Sequence, residues 1–409
     1  MTPRIGLVAG EPSGDLIASR IMRALMRANP APRCAGIGGP AMCAEGLEMW
    51  HPMHALTLFG YVDAFKRLPR LMATYFDVKR RWIAHPPDVF VGIDAPDFNL
   101  RLERALKRAG IPTVHVVGPS IWAWRYERIH KIRAAVSHLL VLFPFEEALY
   151  RKEGIPVTYV GHPLAGAIPM APDRPAARRY LGIDDNARVL AMLPGSRASE
   201  IRLLAPRFLE AAGALQARDP ALRIVVPMVN AARRAQFEAV LHRWPAVNCR
   251  IIGAPDSSLR VEGVERHEES SALYATRPPA WTAMEAADAV LVASGTATLE
   301  AALFKRPMVI SYVLSPAMRR LMAWRSGQSR PYVPWVGLPN VLLNDFVVPE
   351  LLQDAATPQA LARATEEALY DTTLAQRLNT RFTRLHESLR RDTGDLAART
   401  ILNHVGAGA

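Results

Sequence analysis

Val89-Phe90-Val91-Gly92-Ile93-Asp94-Ala95-Pro96-Asp97-Phe98-Asn99 is the stretch whose reading decides the fold. Its first five residues are apolar and rich in Val and Ile, which reads as a short strand buried on both faces. Two carboxylates follow where the strand runs out, and residues 100–109 then take helical spacing. The same alternation recurs outward from this point. Residues 5–9, 113–117, 139–143 and 158–161 read as further strands, with helices over 16–27, 128–136 and 144–152. Strand–helix alternation of this kind predicts a parallel sheet covered on both faces.

Pro163, Pro169, Pro172 and Pro175 then punctuate a stretch with little periodicity, the signature of a linker. Beyond it the alternation restarts, with strands expected over 189–193, 224–228, 250–253, 289–293 and 308–313 and helices over 205–217, 231–244 and 298–304. A chain of 409 residues exceeds one ordinary core. The expectation is an α/β protein with two Rossmann-like, doubly wound domains, residues 1–165 and 176–357. In such a fold ligands bind in a cleft at the carboxyl ends of the strands. Residues 358–409 read as mostly polar helix, packing back on the first domain.

Fifty basic against 38 acidic side chains leave a net charge of +12. That excess favours nucleic acid, acidic lipid or a phosphorylated substrate, unless it is a generally basic surface. Three scattered cysteines, Cys34, Cys43 and Cys249, offer neither a disulfide framework nor metal spacing, which favours a reducing compartment. No apolar run approaches the ~18 residues of a membrane span, so a cytosolic chain is expected. The histidines lack H-E-x-x-H or related spacing, so no protein-bound metal is expected. His162, between Gly161 and Pro163, reads as structural.

Four segments carry candidate chemistry. Gly10-Glu11-Pro12-Ser13-Gly14-Asp15 is either an anion-accepting turn before a helix or an ordinary one capped by Ser13 or Asp15. Of the two acids after the strand at 89–93, Asp97 suits a helix N-cap, and Asp94 is the better proton acceptor for an attacking hydroxyl. Trp122 and Trp124 either line a sugar or acyl pocket or staple a loop to the core. In the second half, Leu193-Pro194-Gly195-Ser196-Arg197-Ala198-Ser199-Glu200 and Ala293-Ser294-Gly295-Thr296-Ala297-Thr298-Leu299-Glu300 share one design: strand, small-residue turn, helix start. Free helix N–H groups and the Arg197 guanidinium suit phosphate, and Glu300 suits ribose hydroxyls or the helix dipole. Together the two turns read as one nucleotide-diphosphate site.

Between residues 55 and 82, Leu58, Phe59, Val62 and Phe65 share a helical face, and Leu71, Met72, Tyr75 and Phe76 make a second past Pro69. Lys66, Arg67, Arg70, Lys79, Arg80 and Arg81 outweigh Asp63 and Asp77 nearby. An apolar face beside basic residues suits anionic lipid; a core helix with a solvated rim is the alternative.

In order and spacing, residues 10–15, 92–99, 119–124, 161–164, 193–197, 294–300 and 338–340 resemble the lipid-A-disaccharide synthase family over nearly the whole chain. The resemblance implies a GT-B glycosyltransferase that needs neither cofactor nor metal and binds no nucleic acid. Its implied reaction joins UDP-2,3-diacylglucosamine to 2,3-diacylglucosamine 1-phosphate (lipid X), with inversion, giving the β-1,6 lipid A disaccharide 1-phosphate and UDP. It implies peripheral attachment to the inner face of a Gram-negative inner membrane, and a homodimer with exchanged C-terminal segments. Carried onto this sequence, Asp94 is the general base. Arg197, Ser196, Gly195, Ser294, Gly295 and Thr296 hold UDP, and Glu300 holds its ribose. Glu11 and Asn340 match positions associated with activity. The apolar and basic pattern of residues 55–82, rather than the resemblance, makes Phe59, Val62, Phe65, Leu68, Leu71 and Met72 the expected acyl and membrane contact. One departure is a stretch between Gly253 and Ala283, longer than the family pattern, where contacts to the nucleotide base are expected.

Overall fold

The computed structural model describes residues 2–56, 61–123, 125–253, 273–316, 318–320 and 333–405, with 61–67 as backbone alone. The chain forms two compact units, Met1–Gly166 with Ser388–Ala409, and Ala167–Glu387.

The first unit holds the strands Arg4–Ala9 (β1), Arg33–Gly38 (β2), Glu48–Pro52 (β3), Val89–Ile93 (β4), Thr113–Val116 (β5), His138–Val141 (β6) and Val157–Tyr159 (β7). They form one parallel sheet in the order β3-β2-β1-β4-β5-β6-β7. Its helices include Pro12–Leu25 (α1), Pro40–Ala44 (α2), Tyr61–Ala84 (α3), Pro96–Arg108 (α4), Ile129–Ala135 (α5) and Pro144–Lys152 (α6). The period-2 alternation of the strands sorts the core. Ile5, Leu7, Ala9, Val89, Val91 and Ile93 pack with Ala18, Ile21 and Met22 of α1. Val8 and Phe90 pack on the opposite face with Tyr75, Val78 and Trp82 of α3 and Leu102 and Leu106 of α4. Gly6 leaves room for Trp82, whose ring lies 3.0 Å from where a Cβ would stand.

Sequence patterning misses β2 and β3. Arg33-Cys34-Ala35-Gly36-Ile37-Gly38 has little β-propensity, and it becomes a strand by pairing with β1. Gly36 sits at φ +146°, where a Cβ would lie 2.0 Å from Leu7 O.

The second unit holds Val189–Leu193 (β8), Arg223–Pro227 (β9), Cys249–Ile252 (β10), Ala289–Ala293 (β11), Met308–Tyr312 (β12) and Glu350–Leu352 (β13), all parallel, in the order β10-β9-β8-β11-β12-β13. Its helices include Arg174–Tyr180 (α7), Ala198–Arg218 (α8), Ala231–Leu241 (α9), Pro279–Ala286 (α10), Thr296–Leu303 (α11), Leu338–Leu343 (α12) and Pro358–Tyr370 (α13). Leu204, Phe208 and Leu209 of α8, with Leu361 and Leu369 of α13, close one core face over Leu190, Ile224 and Leu291. Each sheet therefore has a point where the strand order reverses: between β1 and β4 in the first unit, and between β8 and β11 in the second. Ligands of doubly wound sheets bind outside the carboxyl ends at such points.

Two expectations change here. The proline-rich linker is largely structured: Pro163–Ala167 is a short helix, and Asp173 caps α7 by accepting from Ala176 N at 3.0 Å. Nor does the C-terminal segment start at 358 and return to the first unit as one block. Apolar Leu361, Ala362, Ala368 and Leu369 bury α13 in the second unit, and the chain crosses only within the helix Thr372–Leu389 (α14). The last helix, Thr393–Leu402 (α15), packs its Ala397, Ala398 and Ile401 into the α1 face of the first unit. Most of the long stretch between Gly253 and Ala283, residues 254–272, lies outside the described residues.

Candidate active site

In the first unit, Gly10 and Glu11 follow β1, and Asp94 and Ala95 follow its neighbour β4. The two turns touch: a Cβ on Gly10 would lie 2.8 Å from Ala95 Cβ. Asp94 at φ 52° and Ala95 at φ 43° both occupy the left-handed region, which favours glycine. For residues with a Cβ this costs about 1–3 kcal/mol each, and such strain gathers at functional turns. Asp94 N–H donates to Val116 O at 2.9 Å, and Asn99 Nδ2 donates to Asp94 O at 2.8 Å. The half-buried Asp94 carboxylate meets no hydrogen-bond donor among the described residues, which leaves it available to a ligand.

The acids around it have other work. Helix α4 begins at Pro96 with Ala95 as N-cap, so Asp97 is not the cap but a first-turn acid, exposed and paired with Arg128. At the first turn, the N-cap of α1 is Glu11, not Ser13 or Asp15, because Pro12 takes the first helical position. Glu11 is exposed in extended backbone. Asp15 is buried and caps α2 instead, accepting from Gly39 N, Ala41 N and Met42 N at 2.9–3.1 Å. Trp122 behaves as a staple: its indole N–H donates to Glu146 Oε1 at 3.1 Å and its ring meets Phe145 edge-on. Burial pushes the Glu146 carboxyl up to about 8. Trp124 lies outside the described residues.

In the second unit, the turns after β8 and β11 meet around one cavity of about 320 Å³. Gly195, Ser196, Arg197, Ser294, Gly295, Thr296 and Glu300 all line it. The two turns are not equivalent. Glu200 Oε2 accepts from Ser196 N at 2.9 Å and Arg197 N at 3.1 Å, so those amides are already occupied by a carboxylate. Gly195, at φ +122°, is what lets Glu200 reach them, since a Cβ there would lie 2.4 Å from Glu200 Cβ. This turn therefore offers an anion the Arg197 guanidinium, held 3.1 Å from Glu200 Oε1, rather than the amides expected from the motif.

The β11 turn is the open one. Gly295 stands at φ +156°, and a Cβ there would enter empty space. Thr296 N–H and Ala297 N–H, the first amides of α11, meet no acceptor among the described residues. They join the positive end of the α11 dipole, which suits a diphosphate. Glu300 lies one turn further on, where burial raises its carboxyl above the ordinary value and the nearby Trp281 indole partly offsets the rise.

Asn340 does not join either set. It is fully buried, and its carboxamide is spent: Nδ2 donates to Val348 O and Glu350 Oε1 at 2.8 Å, and Oδ1 accepts from Val347 N and Val348 N. Glu350 in turn accepts from Val336 N and Gly337 N at 2.9 Å. Asn340 thus shapes the backbone of 336–340 and presents no free polar atom to a substrate.

Helix α3 runs through Pro69 as one helix, and the second expected face redistributes along it. Tyr75, Val78 and Trp82 turn into the core. Leu68 at 47%, Phe76 at 57% and Ile83 at 46% exposure form an outward stripe completed by half-buried Met72, while Leu71 is also half-buried. Phe59 and the side chains of Val62 and Phe65 lie outside the described residues. No described helix is long and apolar enough to cross a membrane.

Residues 5–252 and 256–401 match the sequence pattern of the family described as lipid-A-disaccharide synthetase. A lipid-A-disaccharide synthase of Bordetella pertussis is 68% identical over 402 residues, covering 98% of each chain. Among solved structures, the UDP-GlcNAc 2-epimerase from Neisseria meningitidis, bound to UDP-GlcNAc, matches with TM-score 0.61 at 11% identity, covering 98% of this chain and 99% of that one. The glycosyltransferase of kitacinnamycin matches with TM-score 0.60 at 16% identity, covering 99% of both. At these identities the likeness speaks to fold alone, and that fold is GT-B.

Proposed function

The chain belongs to the lipid-A-disaccharide synthase family of glycosyltransferases, and from that premise we propose that it condenses UDP-2,3-diacylglucosamine with 2,3-diacylglucosamine 1-phosphate. The products are the β-1,6-linked disaccharide 1-phosphate and UDP, with inversion at the transferred sugar carbon. In this reading Asp94 takes the proton of the acceptor's 6-hydroxyl as that oxygen attacks the anomeric carbon and the bond to the diphosphate breaks. The leaving diphosphate gathers charge, which the Thr296 and Ala297 amides, the α11 dipole and Arg197 offset. Glu300 receives the ribose hydroxyls, Glu11 borders the Asp94 turn, and Asn340 acts as a positioning residue through the 336–340 backbone.

The observation that supports this reading best is the cavity after β8 and β11. It joins two motifs a hundred residues apart, roughly two-thirds of a domain's length, and gathers open helix amides, an arginine and the Glu300 carboxyl at one switch point. The test is product analysis by thin-layer chromatography and mass spectrometry with purified protein, offering acylated and unacylated UDP-glucosamine donors. Disaccharide 1-phosphate formed only from the acylated donor is the expected result. Turnover of unacylated UDP-sugar alone, as by an epimerase or an N-acetylglucosaminyltransferase, would overturn it, and so would the absence of any product.

Both substrates carry acyl chains, so the enzyme must meet them at a lipid surface. The stripe Leu68, Met72, Phe76 and Ile83, with Lys79 in line with it and Arg80 beside it, supports peripheral attachment to an anionic leaflet. At ~1 kcal/mol per basic group near such a surface, the attachment is reversible.

A further inference from the structure

Beneath the Asp94 turn lies a buried polar cluster that the reading above does not use. Asn99, on the first turn of α4, is fully buried, and its Nδ2 faces three main-chain carbonyls: Asp94 O at 2.8 Å, Ile93 O at 3.2 Å and Val8 O at 3.4 Å. Two N–H bonds shared among these acceptors tie the end of β1 to the end of β4, the two strands whose turns carry Glu11 and Asp94. Asn99 Oδ1 has no hydrogen-bond partner among the described residues. Leaving a buried acceptor unpaired is unfavourable, and an apolar side chain would fill the same space without that penalty.

One turn along α4, Glu103 and His115 of β5 form a second buried pair, Oε1 to Nδ1 at 2.7 Å, both fully buried. Their other polar atoms, Glu103 Oε2 and His115 Nε2, are also unpartnered among the described residues. Burial pushes the Glu103 carboxyl up, with the imidazole pulling it partly back. Gly92 makes the arrangement possible: a Cβ there would lie 2.1 Å from Glu103 Oε1 and 3.0 Å from both Asn99 Cβ and Cγ. The Glu103 carboxylate and Asn99 thus press side by side on the strand residue two before Asp94.

We propose that Asn99 is a positioning residue for the transfer reaction, its carboxamide holding the Val8, Ile93 and Asp94 carbonyls so that Asp94 stays in the left-handed turn from which its carboxylate works. The Glu103–His115 pair lies beside Asn99 against Gly92. The inference rests on the reading of Asp94 as the reaction base. Its logic is that a strained turn persists only where its surroundings over-determine it, and a displaced base loses rate more than binding.

The test compares Asn99→Ala, Asn99→Ser and Asp94→Asn, singly and combined, by kcat, KM for both substrates and thermal unfolding. The expected result for Asn99→Ala is a fall in kcat of about 10- to 100-fold with both KM values within about twofold. Asn99→Ser, which keeps one donor, should recover part of the loss. In the Asp94→Asn background the Asn99 substitutions should add little, because the group they position is gone. Full kcat in a folded Asn99→Ala protein would overturn the proposal, as would an undiminished further loss in the Asp94→Asn background. Failure of both Asn99 variants to fold would assign the clamp to stability and also overturn it. Normal turnover by Asp94→Asn alone would instead remove the base, and the positioning role with it.

Discussion

Asp94 and Ala95 take positive φ one after the other, and neither is a glycine. A chain under no functional demand would relieve that conformation with a glycine at little cost. If Asp94 removes the acceptor proton, Asp94→Ala should lose about 10²–10⁴ in kcat while keeping its fold, read by steady-state kinetics beside circular dichroism. Near-normal turnover would take Asp94 out of the mechanism. Arg197 belongs to the other half of the chemistry. Its guanidinium rests on Glu200 and is largely exposed, and the buried Glu200 carboxylate keeps two main-chain amide donors when Arg197 is removed. Arg197→Ala should therefore unfold like the parent yet lose about 10²–10³ in kcat. An unchanged rate with UDP binding intact would refute its role at the diphosphate.

At the scale of elements, helix α3 separates two stripes about a quarter of a turn apart around its axis, at 3.6 residues per turn. Tyr75, Val78 and Trp82 hold the fold, while Leu68, Phe76 and Ile83 face outward. Serine at all three outward positions should leave the unfolding temperature within about a degree or two, since surface changes are typically within ±0.5 kcal/mol. It should also abolish sedimentation with anionic vesicles; retained sedimentation would end the membrane assignment. The segment after β7 makes a prediction in pH. His162 is buried, stacks on Phe143, and accepts Leu164 N–H at Nδ1, which requires the neutral ring. Burial, then the Arg20 charge, lowers its pKa from 6.5 to about 4. The unfolded chain binds a proton there that the folded chain refuses, so stability present above about pH 6.5 is lost as pH falls toward about 4. Denaturant unfolding at pH 7 and pH 4.5 should show a smaller acid loss in His162→Asn than in the parent. Equal losses would mean that His162 is not the group titrating.

At the scale of the whole molecule, the first unit is built from both ends of the chain. Ile401 in α15 is fully buried among the residues of α1, β1 and β4, and a Cβ on Gly394 would lie 2.9 Å from Arg20 O. Ile401→Ala should cost about 2–5 kcal/mol, like other large-to-small core changes. Limited proteolysis of that variant should cut first within residues 1–166 rather than 167–387. Equal protection of the two segments would mean that α15 does not support the first unit.

Much of this architecture was legible in the residues alone. Buried strands such as 89–93, 189–193 and 289–293 announce themselves because a parallel strand covered on both faces must be apolar throughout, and the small-residue turns after them mark where helix amides open. The matched blocks at 92–99, 193–197 and 294–300 likewise named the family before any coordinates did. What linear order cannot carry is competition between neighbours for the same polar atoms. Only the folded chain decides that Glu200 takes the amides of its own turn while those of Thr296 and Ala297 stay open, that Asn340 is spent on backbone, and that Asn99 grips three carbonyls under Asp94. It alone also sends α13 to one unit and α15 to the other. Periodicity reports which face of an element is apolar, and only packing chooses the surface that face is buried against.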